Sequence, residues 1–528
     1  MTALDLVLIA DRLHSMTTAE HSTAIGILGN KIAALGSPEA AKEWSAKTTL
    51  RFPEGATIVP GLVDAHSHPI MGLRITDGID LSTAKSMDQV RALLGAEAQR
   101  GGTRGWLLGW GLDPNVFGSS GPPSVRAFDD LANGLPMFLR FFDGHAALAN
   151  AYALRLAFLK DKDTNTPPES NLAGPSADQA GLLNEFEAMN FVERAIPIEE
   201  NDSRRHRLLQ LLSSMASSGL TGLHAMDALD GPEALLADIE ERSELPLKMR
   251  VSPWCGPDDD ISYVVGRLGA RGRRWHFAGV KLFLDGTIDN GTAWLNHPDV
   301  RGESRASSWP DPEAYAQRIL QLDEAGIPTA THAIGDAAIG HVIDVLHRRP
   351  PKAHHRIEHL EAMPDFLIPR LASPRISASM QPTHCTHYTA ADHSDNWSAR
   401  MGQPRADWGW RTRDVLDSGA VLALGSDWPI APYNPLAVMA DAQLRRRAGE
   451  HSATPVRVGQ AMTAYESLEG YTTKPPASIG DRGGMIRIGD PADLTILAAD
   501  PLAINPDELA ELNVHMTIVD GEVVHRSV

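Results

Sequence analysis

Two histidines separated by one residue, His66 and His68, follow an apolar run that begins at residue 57. Side chains alternate along an extended strand, so both imidazoles point to the same side of it. If this strand is the first of a barrel, that side is the interior, and two imidazoles at its carboxyl end could bind one metal ion. A chain with 21 histidines contains such pairs by chance, so the pair needs support from the rest of the sequence.

Four later strand-like runs end close to further residues that can bind a divalent metal. Lys281 lies in Val-Lys-Leu-Phe, His332 in Thr-His-Ala-Ile-Gly-Asp, His359 in Arg-Ile-Glu-His and Asp427 in Gly-Ser-Asp-Trp-Pro. Lysine joins this set only if its amine is modified. If the runs are parallel strands of one barrel, all of these side chains fall near the same rim.

The elements that would position these residues alternate between strands and helices, which favours parallel βαβ units of the α/β class. Eight strand candidates predict a (β/α)8 TIM barrel over residues 59–479. The long gap after the first strand predicts a large insertion at 72–200, with its own strand at 136–142 and an exposed loop at 164–176. The eight strands are predicted at 58–68, 219–227, 247–254, 277–285, 328–334, 355–360, 375–381 and 421–427, with helices at 233–243, 312–325 and 337–348.

Both ends of the chain are rich in short strand-like runs, and Asp-Gly at 520–521 favours a hairpin turn. We therefore predict a small β-sandwich domain built from residues 1–58 plus 480–528. The first residues lack a basic region, which indicates a strand rather than a signal peptide. The terminal strands are predicted at 4–9, 23–28, 32–35, 493–497, 514–519 and 522–525.

The composition excludes several classes of function. A net charge of −19 gives no basic face for nucleic acid or an anionic membrane. No apolar run approaches the roughly 20 residues needed to span a bilayer. The two cysteines, Cys255 and Cys385, form no Cys-x-x-Cys pair, so we expect neither a disulfide framework nor a zinc finger, and a cytoplasmic location fits.

With these motifs in order, the chain resembles the amidohydrolase superfamily, and within it the YtcJ-like branch (amidohydrolase family 3) that includes N-substituted formamide deformylases. The motif Pro-Gly-Leu-Val-Asp-Ala-His-Ser-His at 60–68 joins the four quoted above in carrying the resemblance. It covers nearly the whole chain. It implies two divalent metal ions, most simply zinc: one held by His66, His68 and Asp427, and the other by His332 and His359.

The resemblance further implies that Lys281 is carboxylated and bridges both ions. Physical chemistry agrees, because a lysine buried among metal ligands loses its charge and a neutral amine can react with carbon dioxide to give an anionic carbamate. Two alternatives stay open: Lys281 reaches solvent or pairs with Asp285, or one ion binds beside an unmodified lysine. A bridging water on the metals would be acidified, and Asp427 would accept its proton and deliver it to the leaving amine. The alternative for Asp427 is a helix N-cap.

Five residues are candidates for contact with a small-molecule substrate. The segment Phe-Phe-Asp-Gly-His-Ala-Ala-Leu-Ala-Asn at 141–150 is similar to the formamide-deformylase branch, in which its histidine faces the substrate, so His145 is expected to polarise the carbonyl oxygen. A second long gap, 384–413, is rich in His, Trp and Asp and should lie over the barrel mouth. Trp110, His224, Trp254 and Asp285 complete the candidates for the pocket wall.

The favoured function is metal-dependent hydrolysis of a carbon–nitrogen bond, as in an N-formyl or N-acyl amine. The same site could act on an ester, lactone, carbamate or cyclic amide, because each involves hydroxide attack on a polarised carbonyl. The third hypothesis is a non-catalytic scaffold of the same fold. It is disfavoured because all six positions of the expected ligand set carry residues that can bind a metal. Barrel hydrolases of this kind often assemble, so a homo-oligomer is possible. Only the segment 462–467, Met-Thr-Ala-Tyr-Glu-Ser, departs from the branch's usual Tyr-Thr helix start.

Overall fold

The middle of the chain alternates parallel strands with helices, as predicted. A computed structural model describes residues 3–17, 22–118, 123–160, 181–228 and 231–527. The loop predicted at 164–176 lies outside the described residues. The eight parallel strands are Leu62–Ser67, Leu220–Ala228, Lys248–Pro253, Trp275–Phe277 continued by Val280–Phe283, Thr329–Ala333, His355–His359, Ile376–Met380 and Val421–Leu424.

These strands pair in sequence order within two parallel sheets, divided at the interrupted fourth strand. A bridge between Trp254 and Lys281 joins the sheets at that point. At the opposite seam the Asp427 amide donates to the His66 carbonyl at 2.7 Å. A Cβ on Gly425 would lie 2.6 Å from the His66 nitrogen, so only glycine permits this approach. The two sheets are therefore in contact at both seams, and their closure into a barrel stays a prediction.

Helices pack against the strands through apolar side chains that share one core with them. Pro312–Glu324 shows the local causes: Asp311 caps it, Pro312 occupies the first turn, and Tyr315 and Ile319 are buried. The other helices in the central region are Pro69–Ile75, Asn201–Ser217, Pro232–Arg242, Ile261–Gly266, Asp336–Leu346, Ile368–Leu371, Pro382–Tyr388, Asn396–Met401, Thr412–Asp417, Pro435–Leu444, Ala464–Tyr471 and Lys474–Ser478.

The unusual segment at 462–467 has a structural explanation. Thr463 and Glu466 form a capping box in which each side chain accepts a hydrogen bond from the other residue's backbone amide. The helix Ala464–Tyr471 therefore begins normally, and the departure from the branch's pattern leaves the predicted ligands untouched.

Strands from both ends of the chain share one apolar core, in which Leu8, Ile25, Ile58, Ile496 and Ile518 are buried. Asp520 and Gly521 both have positive φ angles, as a two-residue hairpin turn requires. The division into domains 1–58 plus 480–528 and 59–479 stays a prediction. One sheet contains Lys31–Gly36, Ala24–Leu28, Leu4–Ile9 and Ala46–Arg51; the other contains Arg12–Leu13, Thr57–Pro60, Leu494–Leu497, Val514–Val519 and Glu522–Arg526.

The segment between the first parallel strand and Asn201 forms a sheet of its own, and the strand predicted at 136–142 is Met137–Phe141. Its hairpin with Ala146–Ala149 turns at residues 142–145 and directs His145 toward the parallel strands. The other strands of this sheet are Leu182–Asn184, Leu107–Leu112 and Ile79–Asp80, and its helices are Met87–Gln99, Ala151–Lys160 and Glu185–Glu193.

Across the described ranges, no helix is both long and apolar enough to cross a membrane.

Candidate active site

Three of the predicted ligands, His66, His68 and Asp427, lie together at the carboxyl ends of the first and last strands. One ligand atom from each lies within 4.8 Å of the others, and the two Nε2 atoms are 3.3 and 3.0 Å from Asp427 Oδ1. Buried His66 Nε2 and Asp427 Oδ1 have no hydrogen-bond partner among the described residues. Orphaned donors and acceptors of this kind fit a cation. Asp427 does not cap the next helix, Pro435–Leu444, because Asn434 does.

Glu358 fixes the orientation of His66 through the ring nitrogen that points away from the ligand group. Glu358 belongs to the Arg-Ile-Glu-His motif, but the sequence analysis gave this residue no role. Glu358 Oε2 accepts a hydrogen bond from His66 Nδ1 at 2.6 Å, and Oε1 accepts one from Arg356 Nε at 2.5 Å. Burial alone would raise the pKa of Glu358, but Arg356 and His66 outweigh it and hold that pKa far below its usual range. The anionic carboxylate keeps the Nε2 lone pair of His66 aimed at the ligand group.

A second group brings His359 and the unpredicted His384 to the other oxygen of Asp427. His384 Nε2 is 3.6 Å and His359 Nδ1 3.9 Å from Asp427 Oδ2. His359 Nδ1 also donates to Gln381 Oε1 at 2.9 Å. Sequence analysis marked 384–413 as a segment over the mouth but gave His384 no role.

His332, the predicted partner of His359, lies beside it but belongs to neither group. The two ring centroids are 4.4 Å apart. His332 Nε2 donates to the Gly286 carbonyl at 3.2 Å, which leaves Nδ1 as the nitrogen able to bind a ligand. Burial is the main cause that holds the pKa of His332 well below its ordinary value, so the ring is neutral, as metal binding requires.

Lys281 is fully buried and its Nζ makes no hydrogen bond to any residue in the described ranges. It therefore does not reach solvent, and Asp285 does not pair with it, because the Asp285 oxygens accept three backbone N–H groups. Burial lowers the pKa of Lys281 to about 8, against the opposing effect of nearby carboxylates. An amine this close to neutrality is the state that carboxylation requires, and the modification itself stays a prediction.

A cavity opens beside the two ligand groups, with apolar and polar walls. Phe142 and Tyr388 stack at its edge with ring centroids 3.8 Å apart. Its lining includes His68, His332, His359, His384 and Asp427 from the ligand groups and their neighbours, Met71, Ile75, Phe283 and Ile430 from the apolar wall, and Asp143, His145, Asp289 and Glu361 from the polar wall.

His145 reaches this cavity from the inserted sheet. Its Nδ1 is 3.0 Å from Glu185 Oε2, and its carbonyl accepts the Glu185 amide at 2.7 Å. Burial opposes a charge on the ring, but Glu185 and Asp143 outweigh it and raise the pKa of His145 to about 9. The ring is therefore a cation at neutral pH, 5.5 Å from the His332 ring between centroids.

The other four substrate candidates do not line the cavity. His224 lies deeper, where its Nδ1 accepts a hydrogen bond from Arg356 at 2.9 Å. The carboxylate oxygens of Asp285 accept hydrogen bonds from backbone N–H groups, two of them in the turn just after His332. Asp285 therefore positions that turn. Neither His224 nor Asp285 lines the cavity, so substrate contact by these two residues stays a prediction.

The two tryptophan candidates, Trp110 and Trp254, lie outside the cavity lining. Trp254 donates its Nε1 proton to the Met226 carbonyl and packs against Phe283 at 4.6 Å between centroids, so it lies behind the cavity wall. Trp110 lines a separate cleft that adjoins the cavity at Tyr388. Strand counting placed Trp254 near the mouth, and the resemblance to the family made Trp110 a candidate, but neither gives the depth or direction of these side chains.

Comparison with known proteins agrees with this geometry. The family model described as "Amidohydrolase family" matches residues 54–525. The chain belongs to this family. The protein named as amidohydrolase YtcJ of Bacillus subtilis (strain 168) is 27% identical over 530 residues, covering 96% of each chain. The N-substituted formamide deformylase of Arthrobacter pascens is 25% identical over 552 residues, covering 98% of this chain and 97% of that protein.

Among solved structures, an uncharacterised metal-dependent hydrolase from Pyrococcus horikoshii OT3 has the same fold, with a TM-score of 0.72 and 23% identity. The match covers 95% of this chain and 99% of that one. Family membership, together with the two candidate ligand groups, supports a metal-dependent hydrolase.

Proposed function

We propose that this amidohydrolase-family protein hydrolyses an amide-type carbon–nitrogen bond, with an N-formyl or N-acyl amine as substrate, in a cavity at the mouth of a closed (β/α)8 barrel. The observation that carries the proposal is the buried group of His66, His68 and Asp427, of which His68 and Asp427 line the cavity that His145 enters from the insertion. The relationship to an N-substituted formamide deformylase favours the amide among carbonyl substrates.

The residues present fit the ions that the family implies, since the imidazoles are buried, backed by acceptors and grouped around a carboxylate. When bound, one or two zinc ions would polarise the substrate carbonyl and activate the attacking water. His66 and His68 would hold the first ion. Asp427 takes the proton of the attacking water and passes it to the leaving nitrogen as the carbon–nitrogen bond breaks.

His145 has a separate role, which follows from its charge and its place on the cavity wall. Its Nε2–H donates a hydrogen bond to the substrate oxygen and stabilises the negative charge that develops there. Glu185 positions the ring through Nδ1. The insertion thus contributes to catalysis and does more than cover the mouth.

The pH dependence of kcat tests this role. The folded-state pKa of His145 is about 9, above the ordinary 6.5, so activity that needs the cation is expected to fall as pH rises through about 9. Glu185→Gln removes the charge that sustains this pKa, and the alkaline limb should move down by about 1–2 pH units. Glu187→Gln, at an exposed site on the same helix, is the matched control. An alkaline limb that stays in place in Glu185→Gln would remove His145 from the mechanism.

A substrate panel tests the reaction class. We expect release of amine from N-formyl or N-acyl amines, loss of this turnover after removal of metal by a chelator, and its return on addition of zinc. Cyclic amides, carbamates, lactones and esters serve as the comparison substrates. Turnover of an ester or lactone with none of any amide would contradict the bond class, although the metal-dependent site would stand.

A further inference from the structure

The seventh parallel strand, Ile376–Met380, supplies no ligand in the set that the sequence predicts, yet the residues after it reach the site. Gln381 contacts His359, and the helix Pro382–Tyr388 begins immediately after it. His384, in the first turn of this helix, enters the cavity beside Asp427. The carboxyl end of this strand is therefore part of the site.

The surroundings of His384 resemble those of the other candidate ligands. In His66 and His359 an acceptor holds Nδ1, Glu358 for the first and Gln381 for the second, and this leaves Nε2 for a ligand. In His384 the Nδ1 atom lies 3.9 Å from Glu361 Oε1. A side-chain oxygen therefore lies on the Nδ1 side of this third histidine as well, at a longer distance than in the other two.

The Nε2 atom of His384 is the one that faces Asp427. The side chain is 9% exposed, and Nε2 makes no hydrogen bond within the described part of the chain. It faces Asp427 Oδ2 at 3.6 Å, and one ligand atom each of His359, His384 and Asp427 lies within 4.8 Å of the others. Ligands about 2.1 Å from one tetrahedral ion lie roughly 3.4 Å from each other, so the separation of His384 Nε2 and Asp427 Oδ2 is close to the spacing of two ligands on one metal.

We infer that His384 is a ligand of the second metal ion, which it binds together with His359 and Asp427. This inference rests on the proposed function but adds a ligand that the sequence resemblance does not supply. Two ions would then share Asp427, with Oδ1 facing His66 and His68 and Oδ2 facing His359 and His384.

Zinc binding tests the inference without reference to activity. Metal-free full-length protein, prepared with a chelator, is titrated with Zn²⁺, and the bound metal is counted by mass spectrometry after dialysis. We expect two equivalents for the wild type and one for His384→Phe, which keeps a ring in the same space. The dissociation constant of the second ion should rise on the order of 100-fold or more.

Two further variants separate ligation from folding. His387→Phe changes another histidine on the same helix that lines the outer clefts rather than the cavity, and it should bind two ions. His384→Asp keeps an oxygen that can ligate, so it should bind the second ion more tightly than His384→Phe. Circular dichroism of the metal-free proteins confirms that each variant is folded.

The outcomes are distinguishable. Two equivalents bound to His384→Phe with the affinity of the wild type would overturn the inference. A wild type that binds one ion and still hydrolyses amides would also overturn it and leave the proposed function standing, because that function needs only the ion held by His66, His68 and Asp427. A wild type that binds no zinc would defeat the proposed function itself.

Discussion

Replacing Asp427 by Asn is expected to lower kcat by about 10³-fold, within the range of 10²–10⁴ that a general acid–base residue contributes. Asparagine keeps the size of the side chain but cannot accept and return the proton. Asp427 also lies in the left-handed region, with φ of 58°, which asparagine tolerates. The backbone hydrogen bond to the His66 carbonyl should therefore survive, and the loss should fall on the chemical step rather than on folding.

The measurement is kcat on the best substrate of the panel, beside zinc content and the free energy of unfolding. Asp392→Asn, at a surface position in the segment after the seventh strand, serves as the control and should retain full activity. Because Asp427 is also a proposed metal ligand, the assay is repeated at saturating zinc. Activity within tenfold of the wild type at full zinc occupancy would remove Asp427 from proton transfer.

The strands and their order could be predicted from the sequence because each leaves a local signal. The predicted strand 355–360 is His355–His359, and 514–519 is Val514–Val519 without change. In the sequence, buried parallel strands are short apolar runs that end at Gly, Pro or charged residues. The ligands of the first group could be found for the same reason, since strand ends place their side chains at one rim.

The partners of those candidate ligands could not be predicted, because they depend on contacts between strands that are distant in the sequence. Glu358 and His66 are 292 residues apart, and their 2.6 Å contact requires that the first and sixth strands direct side chains into the same interior space. His384 lies on a short helix that follows a strand, where the period of two no longer gives its direction. His224 lies on a strand, where the alternation of side chains gives its direction but not its depth, and it contacts Arg356 instead of lining the cavity.

Glu358 also provides the second large effect, on stability. Glu358→Gln leaves Arg356 buried with an uncompensated charge, although its guanidinium keeps hydrogen bonds to the Ala65 carbonyl and to His224. Breaking a buried ion pair from one side typically costs about 3–5 kcal/mol in free energy of unfolding. We expect a loss of this size in urea unfolding of the metal-free protein, where zinc binding makes no contribution.

The double variant Arg356→Met/Glu358→Gln separates the two functions of the carboxylate. Removing both charges eliminates the uncompensated arginine, so much of the stability should return relative to Glu358→Gln. His66 would still lack its anionic partner, so zinc affinity should stay about 10–100-fold weaker than in the wild type. If the double variant were no more stable than the single one, the ion pair would not be the cause of the loss. If Glu358→Gln bound zinc as the wild type does, the carboxylate would not position His66. Recovery of stability without recovery of zinc affinity is the result expected of a carboxylate that both neutralises a buried arginine and orients a metal ligand.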